Sequence, residues 1–238
     1  MAWGAHLTKE ITEGLRPLVD LVYPPRCPSC GAATASQGSL CSDCWSELEF
    51  PRAYATPEGA RHSGIIAATI YNDMSRALVL KFKHGGKIAL APLLGTMLAS
   101  RIHSEQDEQG DVGEQPLIVP VPLHRTRIWQ RGFNQSALLA REVAKAGKGE
   151  LILDALIRQK RTPSLGNLSA EKRKAVLAGA IAVRAKARPL IKARRVILID
   201  DVLTSGATSD ACVEALLEAG ATSVQIGCFA RADHGALG

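Results

Sequence analysis

Residues 196–208 read VILIDDVLTSGAT, and their pattern decides the fold. Val196, Ile197, Leu198 and Ile199 form an uninterrupted apolar run, as a strand buried on both faces requires. Asp200 and Asp201 then follow at the strand's carboxyl end, the place where open α/β sheets bind ligands. Two carboxylates there suit vicinal hydroxyls. Thr204, Ser205, Gly206, Ala207 and Thr208 lead into an expected helix over 206–218, so hydroxyls, free N–H groups and the positive end of a helix dipole converge on one spot. This is an anion cradle, and Gly206 lets the backbone approach the anion closely. No lysine stands where a P-loop needs one, which disfavours a nucleoside triphosphatase.

Outward from this passage, short apolar runs alternate with helix-like stretches. Strands are expected at 117–121, 180–183, 195–199 and 223–229, and helices at 134–146 and after Ser169 and Glu171. An element at 151–157 is less sharply patterned. This is the beat of an α/β domain with a parallel sheet. Earlier in the chain a strand is expected at 64–71, with helices at 77–82 and 88–102. The stretch 104–115 carries Glu105, Asp107, Glu108, Asp111 and Glu114 and reads as a mobile acidic surface loop. Leu7, Ile11, Leu15, Leu18 and Val22 recur at helical spacing, predicting an amphipathic helix that stops before Pro24 and Pro25. The expected division is 1–50 as a small N-terminal module and 60–238 as the α/β domain.

Four of the six cysteines, Cys27, Cys30, Cys41 and Cys44, form two Cys-x-x-Cys pairs, CPSC and CSDC. The spacing lets two tight turns present four thiolates to a tetrahedral Zn²⁺. Gly31 stands where a knuckle turn needs a residue tolerant of positive φ. Four protein ligands leave no open position for a substrate, so the zinc is read as structural. The short stretch after Cys41 is expected to be helical, with Trp45 and Leu48 on its inner side. Cys212 and Cys228 stand alone and read as core residues.

The chain has 238 residues, 46% hydrophobic and 22% charged, which excludes a mostly disordered protein. Its net charge of +6 is unevenly placed. Residues 120–195 hold 18 basic and 4 acidic side chains, a net of +14, while the remainder holds 11 basic and 19 acidic, a net of −8. An anionic partner is expected at the basic stretch. No apolar run is long enough to span a bilayer, so no membrane insertion is expected, and thiolates persist in the reducing cytoplasm.

All thirteen positions of 196–208 resemble the signature of the type I phosphoribosyltransferases, which bind phosphoribosyl pyrophosphate (PRPP). Paired acids also end strands as loop formers or as Mg²⁺ sites in response-regulator receivers, but a receiver has no hydroxyl-rich loop after its acids. The resemblance implies a type I phosphoribosyltransferase-like parallel sheet flanked by helices. It also implies that Asp200 and Asp201 hold the ribose 2- and 3-hydroxyls and that Thr204, Ser205, Gly206, Ala207 and Thr208 hold the 5-phosphate. More widely, the chain resembles the ComF family of competence-associated proteins. The cysteine cluster, LKFKHGGK at 80–87 and VPVPLHRTRIWQRGFNQ at 119–135 carry that likeness. Val121, Pro122, Leu123 and His124 then occupy the turn that receives pyrophosphate. Arg125, Arg127 and Arg131 stand behind it, and Lys81 and Lys83 act as point charges. Arg125 and Arg127 read equally well as solvated surface charges; Arg131, inside RGFNQ, is the better site residue.

The implied chemistry is loss of pyrophosphate from Mg²⁺-bound PRPP through an oxocarbenium-like transition state, with Asp200 or Asp201 stabilising the developing cation and Arg131 the leaving group. The chain departs from the ComF pattern in two places. No cysteine lies in 51–63, where relatives often carry a further Cys-x-x-Cys pair, and in 162–180 only Arg173 matches the family's Gln, Arg, Asn series. Three functions compete. The favoured one is a ComF-like protein acting in DNA uptake, with single-stranded DNA and a DNA-uptake helicase as partners. The others are a nucleobase-salvage phosphoribosyltransferase and a non-catalytic PRPP sensor. Aromatics, at 4%, are too scarce for extended base stacking.

Overall fold

The structure, a computed structural model, describes residues 21–51, 56, 58–84, 87–108, 114–159 and 179–232. The chain divides into two compact units, Met1–Glu47 and Leu48–Gly238. In the smaller unit, an isolated bridge between Arg26 and Ala33 closes the first cysteine turn, and α1 (Ser42–Ser46) carries the second pair. The helix expected over 7–22 lies outside the described residues except for Leu21 and Val22, which are helical. Trp45 does not face inward as expected and is 46% exposed. α1 is little more than one turn long and its buried position is taken by Cys44, so the next residue points about 100° away.

The larger unit begins with β1 (Gly64–Ile70), α2 (Asp73–His84) and α3 (Ala91–Glu108). β2 (Leu117–Pro120), α4 (Arg125–Arg131), α5 (Gln135–Lys145), β3 (Glu150–Leu151) and β4 (Leu156–Arg158) follow. The chain continues with β5 (Ile181–Val183), α6 (Arg188–Ile191), β6 (Arg195–Leu203), α7 (Ala207–Glu218) and β7 (Ser223–Arg231). Five strands form one sheet in the order β1-β7-β6-β2-β3, and every neighbouring pair is parallel. β4 and β5 form a separate antiparallel pair. Val196, Ile197, Leu198 and Ile199 are all buried. Ile197 and Ile199 pack toward Gly227 and Ile102 of α3, whereas Val196 and Leu198 share a cluster with Cys212, Val213 and Leu216 of α7. Helices therefore cover both faces, which is why the run shows no polar alternation.

Several boundaries differ from the sequence reading for local reasons. α2 starts four residues early because Asn72 and Ser75 cap it reciprocally: the Ser75 N–H donates to Asn72 Oδ1 at 3.0 Å and the Asn72 N–H to Ser75 Oγ at 2.9 Å. The acidic stretch is not a loop throughout, since α3 continues to Glu108; residues 109–113 lie outside the described set. The weak element at 151–157 resolves into β3 of the main sheet and β4 of the small one, separated by a turn at 153–154. The acids do not sit past the end of their strand. β6 runs on to Leu203 because β7 pairs with it to Arg231, while pairing with β2 stops at Ile199.

α3 and α5 meet at Gly95, where an added Cβ would fall on the Cβ of Glu142. Alanine gains about 1 kcal/mol in helix propensity, but overpacking two helix backbones costs about 1–3 kcal/mol. Gly95→Ala is therefore expected to lower stability by about 1 kcal/mol in urea unfolding, with an unchanged m-value.

Candidate functional site

The four thiols of the smaller unit converge, with all Sγ atoms within 4.8 Å of one another and Cys30 and Cys41 at 3.5 Å. Tetrahedral Zn–S bonds of about 2.3 Å demand S···S separations of about 3.8 Å, so the donor set fits zinc. Gly31 has φ +82°, and its N–H closes the first knuckle onto the Cys27 carbonyl at 2.9 Å. Burial pushes the Cys27 thiol up, but backbone hydrogen bonds at Cys30, Cys41 and Ser29 outweigh it and bring the pKa down to about 6. Burial and the three neighbouring thiols push Cys44 up to about 12. One thiolate forms readily and the fourth does not, unless a cation supplies the missing charge. The cluster is a structural zinc site.

At the carboxyl ends of β6 and β2, the two acids have different surroundings. Strand alternation sends Asp200 and Asp201 to opposite faces. Asp200 Oδ1 accepts from the Asp201 N–H at 2.8 Å and from Ser136 Oγ at 3.1 Å, and its Oδ2 accepts from Ser209 Oγ at 3.4 Å. Asp201, 8% exposed, faces Lys83 Nζ of α2 at 3.0 Å. Lys83, expected on pyrophosphate, is thus placed on a carboxylate. Burial, then the like charge of Asp201, pushes Asp200 up to about 7, against the pull of its hydrogen bonds and of Lys83.

The loop after β6 keeps Thr204 and Ser205 exposed. Gly206 takes φ +72° as the N-cap of α7 and, having no side chain, supplies no cap of its own, while the Asp210 carboxylate of the first turn lies nearby. The first N–H groups of the helix point toward the loop, as an anion cradle requires. Across from it, the Val121 N–H donates to the Ile199 carbonyl at 2.9 Å, so the turn at 121–124 starts beside Asp200. Val121 and Pro122 are buried, while Leu123 and His124 are partly exposed.

The turn runs straight into α4, which the sequence reading missed. His124 Nδ1 accepts the Thr126 N–H at 3.3 Å as its N-cap, and Gly132 ends it at φ +80°; that glycine was the available signal. With Nδ1 accepting, a neutral His124 carries its proton on Nε2. Arg125 is exposed on α4, whereas Arg127 and Arg131 are half-buried. Arg131 Nη1 donates to Gln135 Oε1 at 3.4 Å. Lys81 is half-buried on α2.

Arg158 was not anticipated. Burial holds its guanidinium below the ordinary range, aided by Arg127 and opposed by Cys212 and Asp200, so β4 brings a further cation within electrostatic reach of Asp200. Cys212 and Cys228 are fully buried, as expected of core residues. Burial, then the charge of Asp200, pushes both thiols upward. Arg173 and its neighbours lie outside the described residues.

Two outcomes follow. Purified protein carries one equivalent of zinc by atomic absorption, and Cys44→Ser loses most of it. Gly206→Ala, forced to positive φ, loses about 1 kcal/mol of stability in urea unfolding.

The family described as "Double zinc ribbon domain" matches residues 18–56, a span whose cysteines are the four clustered ones. "Phosphoribosyl transferase domain" matches residues 130–237. "DNA utilization protein YhgH" of Escherichia coli (strain K12) is 29% identical over 212 residues, covering 86% of this chain and 89% of its own. "Competence protein F" of Haemophilus influenzae is 27% identical over 227 residues, covering 87% and 97%. "Competence protein ComFC" of Bacillus subtilis is 26% identical over 194 residues, covering 82% and 72%. The chain is thus similar to these competence and DNA-utilization proteins over most of its length, its N-terminal part matching a zinc-ribbon family and its C-terminal part a phosphoribosyl transferase domain family.

Proposed function

We propose that the chain binds PRPP at the carboxyl ends of β2 and β6 and acts in DNA uptake during natural competence. The observation that carries the reading is one juxtaposition. A carboxylate pair lies between the glycine-capped start of α7 and a turn followed by arginines, matching a diol flanked by a 5-phosphate and a pyrophosphate. On this reading Asp200 and Asp201 accept from the ribose hydroxyls. The N–H groups and hydroxyls at Thr204, Ser205, Gly206, Ala207 and Thr208 hold the 5-phosphate. Val121, Pro122, Leu123 and His124 cradle the pyrophosphate, with Arg125, Arg127 and Arg131 neutralising it. Mg²⁺ accompanies PRPP and supplies further neutralisation of the pyrophosphate oxygens. Lys83 leaves Asp201 when the diol arrives and turns to the departing anion.

The role in DNA uptake rests on the similarity to competence proteins and on the surface of α4. Trp129 there is 88% exposed one helical turn from the exposed Arg125, an aromatic face with a phosphate-binding cation beside it. A contact with a DNA-uptake helicase belongs, on this reading, to the zinc module. No helix among the described residues is long and apolar enough to cross a membrane, and free thiolates suit a cytoplasmic protein.

The test is calorimetric titration with PRPP and Mg²⁺, paired with pyrophosphate release with and without single-stranded DNA. Wild type binds PRPP, and Asp201→Asn weakens binding by more than about tenfold, a charged hydrogen bond being worth about 1.5–3 kcal/mol. Release that requires single-stranded DNA supports the proposal. Release with one of a panel of nucleobases supports salvage, binding without release supports a sensor, and no binding refutes the site assignment. Because a protonated acid accepts poorly from a diol, affinity rises as pH climbs through about 7, where Asp200 ionises. Asp200→Asn flattens that rise.

A further inference from the structure

Asp200 is held from outside its own strand by groups that no motif announces. Ser136, second in α5, is 5% exposed, and Ser209, in the first turn of α7, is 1% exposed, so neither hydroxyl is a surface group. Ser136 Oγ reaches Asp200 Oδ1 at 3.1 Å across 64 residues of chain. A buried hydroxyl is costly unless it is hydrogen-bonded, and a bond to a carboxylate is among the stronger ones. Ser209, at 3.4 Å, is the weaker donor.

The same helix start grips the opposite side of the site. Asn134 caps α5 by accepting the Ser136 N–H at 3.0 Å, and its Nδ2 donates to the Val121 carbonyl at 3.0 Å. Within three residues, α5 thus holds the first acid of β6 and the first residue of the turn after β2. Lock of the acid and lock of the turn come from one rigid element.

We infer that Ser136 is a positioning residue: it fixes the Asp200 carboxylate and, through Asn134 of the same helix start, sets that carboxylate at a constant distance from the turn at 121–124. The consequence for ligand affinity rests on the PRPP reading, whereas the hold on Asp200 is a property of the free protein. Other charged or titratable groups act on Asp200 as well. They are Asp201 on β6, Lys83 on α2, Arg158 on β4, Cys212 on α7 and Cys228 on β7. None of them changes when Ser136 is replaced.

The test uses the full chain labelled with ¹³C in aspartate carboxyls, the Asp200 signal being assigned by Asp200→Asn. In the free protein, Ser136→Ala moves the Asp200 midpoint up by about half a pH unit or more, since a donor to the ionised form is lost. Ser136→Thr keeps the hydroxyl and returns the midpoint to the wild-type value. Should the alanine variant unfold, Ser136→Cys, a poor donor of similar size, is read instead and gives the same upward shift. In PRPP calorimetry, Ser136→Ala weakens binding about tenfold while Ser136→Thr stays within about twofold. An unmoved midpoint in the folded variant overturns the inference, as does a moved midpoint with unchanged PRPP affinity. A moved midpoint in a protein whose wild type binds no PRPP supports the hold on Asp200 and refutes only the ligand reading.

Discussion

Two adjacent carboxylates at the end of a buried strand repel each other, and the surroundings of the larger unit's site resolve that repulsion. The resolution is asymmetric. Asp201 is neutralised by one cation, Lys83, whereas Asp200 is compensated by dipoles: an amide N–H and two serine hydroxyls. The dipoles do not cancel the cost of the charge, and Asp200 is left with an affinity for protons near neutrality. An acid pair so arranged combines one fixed acceptor with one that exchanges its partner. On the proposed reading, the hydroxyl groups of a ligand give the first a further donor and replace the cation of the second.

The sheet makes this pair possible. β6 is central and covered on both faces, so its backbone is rigid up to Ile199. Beyond that residue β2 turns away at Val121 and opens one flank of β6, while β7 continues to support the other. The turn at 121–124, the acids and the loop before α7 come together because β2 and β6 are neighbours that were not consecutive in the chain. Part of the basic excess of residues 120–195 lies near that meeting point: Arg125, Arg127 and Arg131 of α4, which follows the turn, and Arg158 of β4, which acts on Asp200.

Much of this was legible because local chemistry dictates it. The run Val196, Ile197, Leu198, Ile199 can only be doubly buried, and Gly206 marks a positive-φ helix entry. The cysteine spacing fixes its own geometry. What stayed hidden depends on contacts between distant residues or on short-range competition. Ser136 looks like an ordinary second residue of a helix until β6 is placed beside it. Lys83 reads as a free point charge until α2 brings it to Asp201. α4 was concealed because an arginine-rich, partly apolar segment without periodicity gives no hydrophobic face, and Trp45 misled because a one-turn helix has a single inward position. The resemblance to known proteins supplied the proposal of PRPP and of a pyrophosphate turn; the residues by themselves supplied only a diol beside one phosphate site.

The central claim is that one ligand bridges the α7 cradle, the acid pair and the turn at 121–124. A crystal structure of the full chain soaked with PRPP and Mg²⁺ tests it most directly. The account predicts the 5-phosphate on the N–H groups at the start of α7, the ribose hydroxyls on Asp200 and Asp201 with Lys83 displaced, and the pyrophosphate against the turn. A ligand bound elsewhere, or one that leaves the Lys83–Asp201 pair intact, would contradict it.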